Sequence, residues 1–481
     1  MTNAPLVKNV KLSTVLSGDM RLEASTYLRN GYGFVRLARQ CNNHMRLGDL
    51  ADIWQPNRLT GYTVPEDKGL PFFTAGQMFE DFPRVRKWLA APFVPQAESR
   101  YVKQNWLLLS CSGVVGNITA VYPHHVDKVI THDLLRVVPK NQDEYGWLYA
   151  YMKTNFFKQI AQAAQYGHMI KHIEVAHASD FPVIMPKKAT RKAIGDKAAE
   201  AVHLRGEAWK LRDEAFKLLE KHLKARGNSS LHSAKSKQFS EVGLSEVLQN
   251  RLRLDADSYA GNIDDIDNLI TNGSWCTLGS ITTFCSDLGR FARIYGNGGQ
   301  SYVSASELFD VNAVPTKMIY AKLVNNWENY ILHSGTIIMA CSGQKYGILG
   351  RAMMLTENQE GLFGSHDLIR IKVDDNKMRS GYLLTFLNDP LLGRPYVVRN
   401  AYGTSIPHLD SADLQSVKVP RLTSDIEDAI ADLMDESVNT SAKADQLEIE
   451  ATRLAQEQIN IAVSEVTSDV LRSNQATTFH P

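Results

Sequence analysis

The heptapeptide RLEASTY at Arg21–Tyr27 returns as RLDADSY at Arg253–Tyr259, with Glu23, Ser25 and Thr26 exchanged for Asp255, Asp257 and Ser258. The echo continues in order. LGDL at Leu47–Leu50 answers LGSI at Leu278–Ile281, and SCSG at Ser110–Gly113 answers ACSG at Ala340–Gly343. THDLLRV from Thr131 answers SHDLIRI from Ser365, and QYGHMIKHI from Gln165 answers AYGTSIPHL from Ala401. DFPVIMP ending at Pro186 answers LQSVKVP ending at Pro420. The offset stays near about 230 residues and drifts only where loops would change length. The chain is an internal duplication, so whatever fold it adopts must be built twice. Its 481 residues are enough for more than one core.

Each copy has the same internal grammar. Short β-like runs such as WLLLSCSG, LLRVVP, GTIIMACSG and LIRIKV are bounded by Gly, Asn, Asp and Pro. Helical patches, YGWLYAYMKTNFFKQIAQ and SGYLLTFLNDPLL, lie between them, and a long helix closes each copy. In the first helix Ala201, Leu204, Ala208, Leu211, Ala215 and Leu218 fall at spacings of three and four. In the second, Ala444, Leu447, Ala451 and Leu454 do the same, extended by Ile426, Ile430 and Leu433. Sustained patterning of this kind predicts a coiled coil. Lys187–Arg226 carries about twelve basic and six acidic residues, and Ser424–Asp469 about two basic and twelve acidic. Opposite charge favours pairing the two helices with each other; the alternative is that each packs on its own globule.

The fold class expected is therefore α+β: two homologous mixed α/β globules joined by two long helices in an antiparallel coiled coil. The expected boundaries are an N-terminal extension over 1–20, a first globule over 21–186 and a first helix over 187–226. A polar, Ser-rich linker over 227–240, a second globule over 241–422, and a second helix with tail over 423–481 complete the chain.

Several function classes are disfavoured by what the sequence lacks. It has no apolar run long enough for a membrane span, and MTNAPLVKNVKLSTVLSG has no signal-peptide core. The five cysteines form no CxxC, which suggests reduced thiols and a cytoplasmic protein. No cofactor is implied: GxxxxGK[ST], HExxH and GxSxG are absent, and GNGG at Gly296–Gly299 is no dinucleotide fingerprint. A nuclease-like metal site can be drawn from Asp52 with Glu66 and Lys68, but the second copy has no match. His124 and His125 read as a solvated turn after Pro123. Cys111 and Cys341 read as small buried strand residues. The twin pairs His132–Asp133 and His366–Asp367 resemble dyads, yet neighbours on a strand point to opposite faces, so a structural role is expected.

What the loops offer is polar recognition chemistry. The first copy presents Gln77, then Arg84, Arg86 and Lys87 beside Trp88, and later Gln165, Tyr166, His168 and Lys171. The second presents Arg290, Arg293, Asn297 and Gln300, then Gln344 and Lys345, then Arg399, Asn400, Tyr402 and Thr404. Arg and Lys suit guanine edges, Asn and Gln suit adenine, and Gly lets backbone approach a phosphate. These are the candidate DNA-binding residues; no catalytic or metal-binding residue is expected.

A globule opening with RLEASTY, carrying CSG and HDLLRV, and closing in a long helix before repeating resembles the specificity subunit of type I restriction-modification systems. The resemblance runs from Arg21 to about Asp469, and YGTSIPHLDSADLQSVKVP at Tyr402–Pro420 is its most specific stretch. It implies two target-recognition domains reading the halves of a split double-stranded DNA site, held apart by an antiparallel coiled coil. The implied partners are two adenine-methyltransferase subunits and, in conventional systems, restriction subunits, the chain itself being non-catalytic. The helices begin MPKKATRKAI and VPRLTSDIEDAI, where the family usually has an apolar-Pro phrase followed by Glu-Gln; a related methylation-associated defence system fits this departure. The rival readings are a self-contained restriction-modification nuclease or methyltransferase, and an assembly scaffold that binds no DNA.

Overall fold

LLLS and IIMA are apolar without alternation, the pattern of strands covered on both faces. In the computed structural model both are central strands, Leu107–Ser110 and Ile337–Ala340, with every residue buried. The structure describes residues 9–16, 27–28, 30–167, 169–226, 241–249, 253–259 and 261–476. Residues 21–26 of the opening motif, the expected linker 227–240 and His168 lie outside them. The fold is mixed α+β. It divides into two compact units, one of residues 1–206 with 444–481 and one of residues 207–443.

In the first unit a four-stranded antiparallel sheet runs in the order Ala51–Trp54, Leu134–Pro139, Leu107–Ser110, Ile118–Ala120. A second sheet joins Thr63–Val64, Lys87–Leu89, Leu70–Phe73 and Val129–Ile130, the last pair parallel. In the second unit the first sheet recurs as Thr282–Ser286, Leu368–Val373, Ile337–Ala340, Ala352–Met354. The second sheet recurs as Lys317–Ile319, Tyr295–Val303 and Phe363–Gly364. Even the register repeats, with Leu108 opposite Arg136 and Ile338 opposite Arg370. A small two-stranded ladder pairs His44–Arg46 with Pro182–Ile184, and its counterpart pairs Trp275–Thr277 with Lys418–Pro420.

The helical patches break where a cap intervenes. Helix α1 (Tyr145–Lys153) stops at Thr154, whose hydroxyl accepts from Phe157 N at 3.2 Å and starts the next helix. The two long helices are α2 (Lys188–Lys224) and, after α3 (Ser380–Asn388), α4 (Ser424–Ala476). Each unit contains lengths of both. In the first unit Lys197 pairs with Glu450 at 3.3 Å and Arg205 with Asp445. In the second, Ser437 Oγ donates to Ala208 O at 2.7 Å, and Arg226 donates to Arg421 O. Within each unit, residue numbers fall along α4 as they rise along α2, so the facing segments run antiparallel.

The buried stripe differs from the Ala/Leu pattern in one respect. Ala201, Ala208, Ala215, Ala444 and Ala451 are buried, but Leu211, Leu218, Leu447 and Leu454 are only half-buried. The heptad positions between the alanines hold Arg205 and Glu448 instead, at about 2% exposure, and Trp209 and Phe216 flank them. Glu448 accepts from Tyr149 Oη and Lys153 Nζ, each at 2.7 Å, so in the first unit α4 also packs on α1. Burial, with Glu448 next, holds the proton on Tyr149 and keeps it a donor. In the second unit Arg379, at the start of α3, takes Asp432 and Asp435 of α4 at 2.6 and 2.7 Å. Within the units, part of the acidic charge of α4 therefore answers cations of the globules and not only those of α2.

Contact of the short helices with the long ones is flush. A Cβ on Gly146 would lie 2.0 Å from Gly195 O, and one on Gly381 would lie 2.7 Å from Ala431 O. Gly146→Val is expected to cost about 2–3 kcal/mol through forced separation of α1 from α2. Thermal denaturation of the full chain checks this.

His125 is fully buried, which corrects the expected solvated turn. The three-residue turn Pro123–His125 folds inward, and His125 Nδ1 accepts from Tyr122 N at 3.3 Å. Burial, aided by His124 and Lys128, holds its pKa well below the usual histidine range. Below about pH 6.5 the unfolded chain binds a proton that the folded site refuses, so stability falls as pH falls. The slope from this residue approaches about 1.4 kcal/mol per pH unit. His125→Gln should flatten the wild-type pH dependence between pH 6.5 and 4.5 in denaturant titrations, and an unchanged slope would refute the assignment.

Candidate nucleic-acid interface

The most specific phrase of the repeat builds the same turn twice. In the first unit Tyr166 and His172 exchange two backbone hydrogen bonds of 2.9 Å, and His172 also bridges Ser112 of the CSG motif. In the second, Tyr402 and His408 exchange bonds of 2.9 and 2.7 Å, and His408 bridges Ser342. Gly167 and Gly403 sit at φ +98° and +95°, where a side chain is strained. The Tyr-Gly…His spacing is thus a clasp that fastens the loop to the end of a central strand. Between the clasp points Met169 and Lys171 stand where the second unit has Ser405 and Pro407, while Ile170 and Ile406 match: Met169 is 98% exposed, and Ile170, Thr404, Ser405 and Ile406 are also exposed. The outward Met169, Ile170 and Ile406 were not among the candidates. Large apolar residues inside an otherwise polar loop were the signal for them.

Other candidates are engaged within the protein. Gln77 is buried, its carboxamide accepting from Thr74 N and Oγ1 at 3.1 Å and donating to Arg84 O at 2.7 Å. Thr-x-x-Gln is a capping pattern, repeated at Thr356 and Gln359, and in this structure the Gln77 carboxamide is a loop staple engaged within the protein. Arg84 is half-buried. Arg86 chelates Glu80 at 2.9 and 2.6 Å. Lys171 donates to Gly167 O inside the clasped turn, and Tyr166 donates to Glu174. Gln165 is half-buried at the end of helix Asn155–Ala164.

In the second unit Arg293 pairs with Asp367 at 2.9 Å, and Gln300 donates to Gly361 O at 2.5 Å. Gln344 donates to Ser405 O at 3.0 Å, tying two candidate loops together. Lys345 and Asn400 are half-buried, and Arg399 lies over the Tyr396 ring at 4.2 Å. Lys87, Arg290, Asn297, Tyr402 and Thr404 are exposed. GNGG forms a bulge in which Tyr295 and Gln300 both face Ile319, and a Cβ on Gly299 would meet Ile319 O at 2.3 Å.

The chemistry of the remaining motifs is structural. His132 and Asp133 precede the strand that begins at Leu134, so they approach to 3.6 Å; His366 and Asp367 do so at 3.7 Å. The expectation that they would diverge on a strand is corrected. Asp133 accepts from Thr131 Oγ1 at 2.9 Å and Asp367 from Ser365 Oγ at 3.0 Å, which fixes two matched turns. Burial lowers the pKa of both histidines. Cys111 and Cys341 are buried, their thiols pushed up to about 12 by desolvation. Asp52 lies within 3.8 Å of Lys140, and Glu66 and Lys68 share one short turn. Among the described residues no group of three His, Cys, Asp or Glu side chains could hold a metal, and no helix is long and apolar enough to cross a membrane.

The pairing of Arg86 separates it from Lys87. Arg86→Ala removes a largely buried, two-pronged ion pair with Glu80 and is expected to cost about 1–3 kcal/mol of stability. Lys87→Ala should leave stability within about 0.5 kcal/mol. If Lys87 touches a phosphate, its loss lowers the salt slope of DNA binding by about one. Melting curves and salt titrations of both variants distinguish the two roles.

No protein-family model matches the sequence, and no curated protein does. Among solved structures, one match is the S subunit of a type I restriction-modification system from M. genitalium. It has 13% identity and a TM-score of 0.32 over 88% of this chain and 96% of that one. Another is the HsdS subunit from Thermoanaerobacter tengcongensis, at 14% identity and a TM-score of 0.25 over 87% and 96%. A third comes from work on complex assembly and conformational transition of the type I R-M system, at 13% identity and a TM-score of 0.27. These values are too low to carry an argument by themselves. All three of these similar structures are type I restriction-modification specificity subunits or come from such a system.

Proposed function

We propose that the chain is a sequence-specific DNA-binding subunit of the type I restriction-modification kind, which recognises a bipartite target and brings methyltransferase subunits to it. The observation that carries this reading is the clasped turn built twice. The frame Tyr-Gly…His is held by the same backbone bonds in both units, while the exposed side chains inside it diverge around a matched isoleucine, with Met169 in one unit and Ser405 in the other. A reader of two different half-sites needs this combination of one scaffold and two sets of outward side chains. The resemblance carried by the repeated motifs agrees with it, and implies that the chain is not itself the enzyme.

On this reading α2 and α4 set the separation of the half-sites, and their outer faces receive two methyltransferase subunits, with or without restriction subunits. The exposed candidates Lys87, Arg290, Asn297, Tyr402 and Thr404 remain proposed DNA contacts, and the half-buried Arg84, Gln165, Lys345, Arg399 and Asn400 follow only if their loops open.

The direct test is methylome sequencing of cells with and without the chain. The reading expects a split, non-palindromic motif that disappears on deletion; loss of no motif, or of a continuous palindrome, refutes it. The helices give a second test. A heptad inserted into both α2 and α4 adds roughly 10 Å, so the unread spacer should lengthen by about three base pairs. Methylation of a library of sites differing in spacer length measures this. Retention of the parental spacer would mean that the helices are not the ruler.

A further inference from the structure

A second pair of matched loops lies apart from the clasped turns. In the first unit the short turns Ala91–Phe93 and Ala97–Arg100 are joined at Gln96, which holds a left-handed backbone with φ 51° and ψ 47°. In the second, Ala321–Leu323 and Trp327–Tyr330 are joined at Asn326, with φ 52° and ψ 42°. Asn tolerates that conformation, whereas Gln holds it under strain. Each loop is seated on an equivalent cluster. Leu59, Val94, Ala97 and Tyr101 pack together in the first unit, and Phe291, Val324, Trp327 and Ile331 in the second.

Four exposed side chains surround each tip, in matched places. The Ala90 N–Tyr62 O bond of 2.9 Å corresponds to the Tyr320 N–Ile294 O bond of 3.0 Å, which aligns Arg58–Tyr62 with Arg290–Ile294. Arg58 and Arg290 are exposed and have no hydrogen-bond or ion-pair partner among the described residues. Each lies near the matched histidine, His132 or His366. The carboxamides of Gln96 and Asn326 are exposed and likewise unengaged among the described residues. Beside them stand exposed apolar pairs: Tyr62 with Phe93, rings 4.7 Å apart, and Ile294 with Leu323. In the second unit these groups line one cleft of about 460 Å³ that also takes Asn325 and Asn329.

We propose that these two tips read base edges in a DNA groove: Gln96 and Asn326 on adenine, Arg58 and Arg290 on guanine, and the apolar pairs against thymine methyl groups. The inference rests on the DNA-reading function proposed above and names side chains for it. Chemistry and variation both favour a groove over a protein partner. Arginine, carboxamide and an apolar face are the set that distinguishes bases in the major groove. Glu98 and Glu328 recur at the tips and are exposed. A carboxylate is repelled by phosphates but accepts from a cytosine amino group. Two copies of one partner would require the same apolar pair on each unit, and here the aromatic Tyr62 and Phe93 are matched by the aliphatic Ile294 and Leu323.

The test uses the full-length chain, tagged and purified from its native cells with the subunits that accompany it. The probe is a library of duplexes randomised across both half-sites, sequenced after binding. The wild type should enrich a split motif. Asn326→Gly keeps the positive φ, and it should relax one or two positions of one half-site by about ten-fold while leaving the other half intact. Gln96→Gly should do the same to the opposite half, and Arg290→Ala should relax a guanine in the Asn326 half. Melting temperatures should not fall, since all of these side chains are exposed and Gly relieves the backbone strain at Gln96. If the wild type enriches its motif and the variants enrich it unchanged, the tips are not readers, although the DNA-binding function stands. If the variants keep the motif but lose accompanying subunits, the tips are a protein dock and the proposal is overturned. If the wild type enriches no motif, the proposed function fails, and this inference with it.

Discussion

A buried arginine without a carboxylate holds each unit together. Arg136 is completely buried in a central strand, and its guanidinium donates to Thr131 O and Leu134 O at 2.8 and 2.7 Å, to Ile130 O at 3.1 Å and to Arg100 O at 3.3 Å. Arg370 does the same in the second unit toward Leu368, Ser365 and Tyr330 carbonyls. One face of each guanidinium rests on a ring, Trp54 or Tyr330. Burial lowers both pKa values to about 10, so each remains charged at neutral pH. The charge is solvated by backbone oxygens in place of water, as a buried cation requires. Those carbonyls belong to the turn carrying His132 or His366 and to the end of the loop carrying Gln96 or Asn326. The central sheet is thereby fastened to the surface loops from within.

That fastening explains how the outer residues can vary while the frame stays constant. The clasped turn is closed by main-chain bonds at Tyr166–His172 and Tyr402–His408, and the tips at Gln96 and Asn326 sit on packed clusters. None of these supports uses the exposed side chains. A substitution at Met169, Thr404 or Asn326 therefore changes what is offered to a ligand with little effect on the core. Duplication supplied two such frames, and divergence of the tips is the part that a two-site reader requires.

The helices follow a different physical rule. Small alanines let α2 and α4 approach, but apolar burial alone fixes neither register nor direction. Arg205 with Asp445, and Glu448 with Tyr149 and Lys153, are polar groups buried where only one alignment satisfies them. In the second unit Arg379 on the acidic face of α4 acts alike, between globule and helix. Register is thus specified by groups that would be costly to leave unpaired, and the alanines supply only proximity.

The duplication, the long helices and the apolar central strands were legible in the sequence because each is a local pattern: a collinear echo, a three-four spacing, or an unbroken apolar run. The recurrence of Tyr-Gly…His was legible for the same reason. Which polar side chains are available to a ligand was not. Gln77, Arg86, Lys171, Arg293 and Gln300 look like readers along the chain, yet they find partners that sequence distance conceals. His125 looked like a surface turn until the turn folded inward. Gln96 and Asn326 sit between a matched Val and Glu at the offset of the repeat, but this short pattern does not mark them as loop tips, and their common left-handed backbone does. Sequence records periodicity and composition, whereas burial and hydrogen-bond partnership depend on segments brought together from far apart, and these were decided by the tertiary structure.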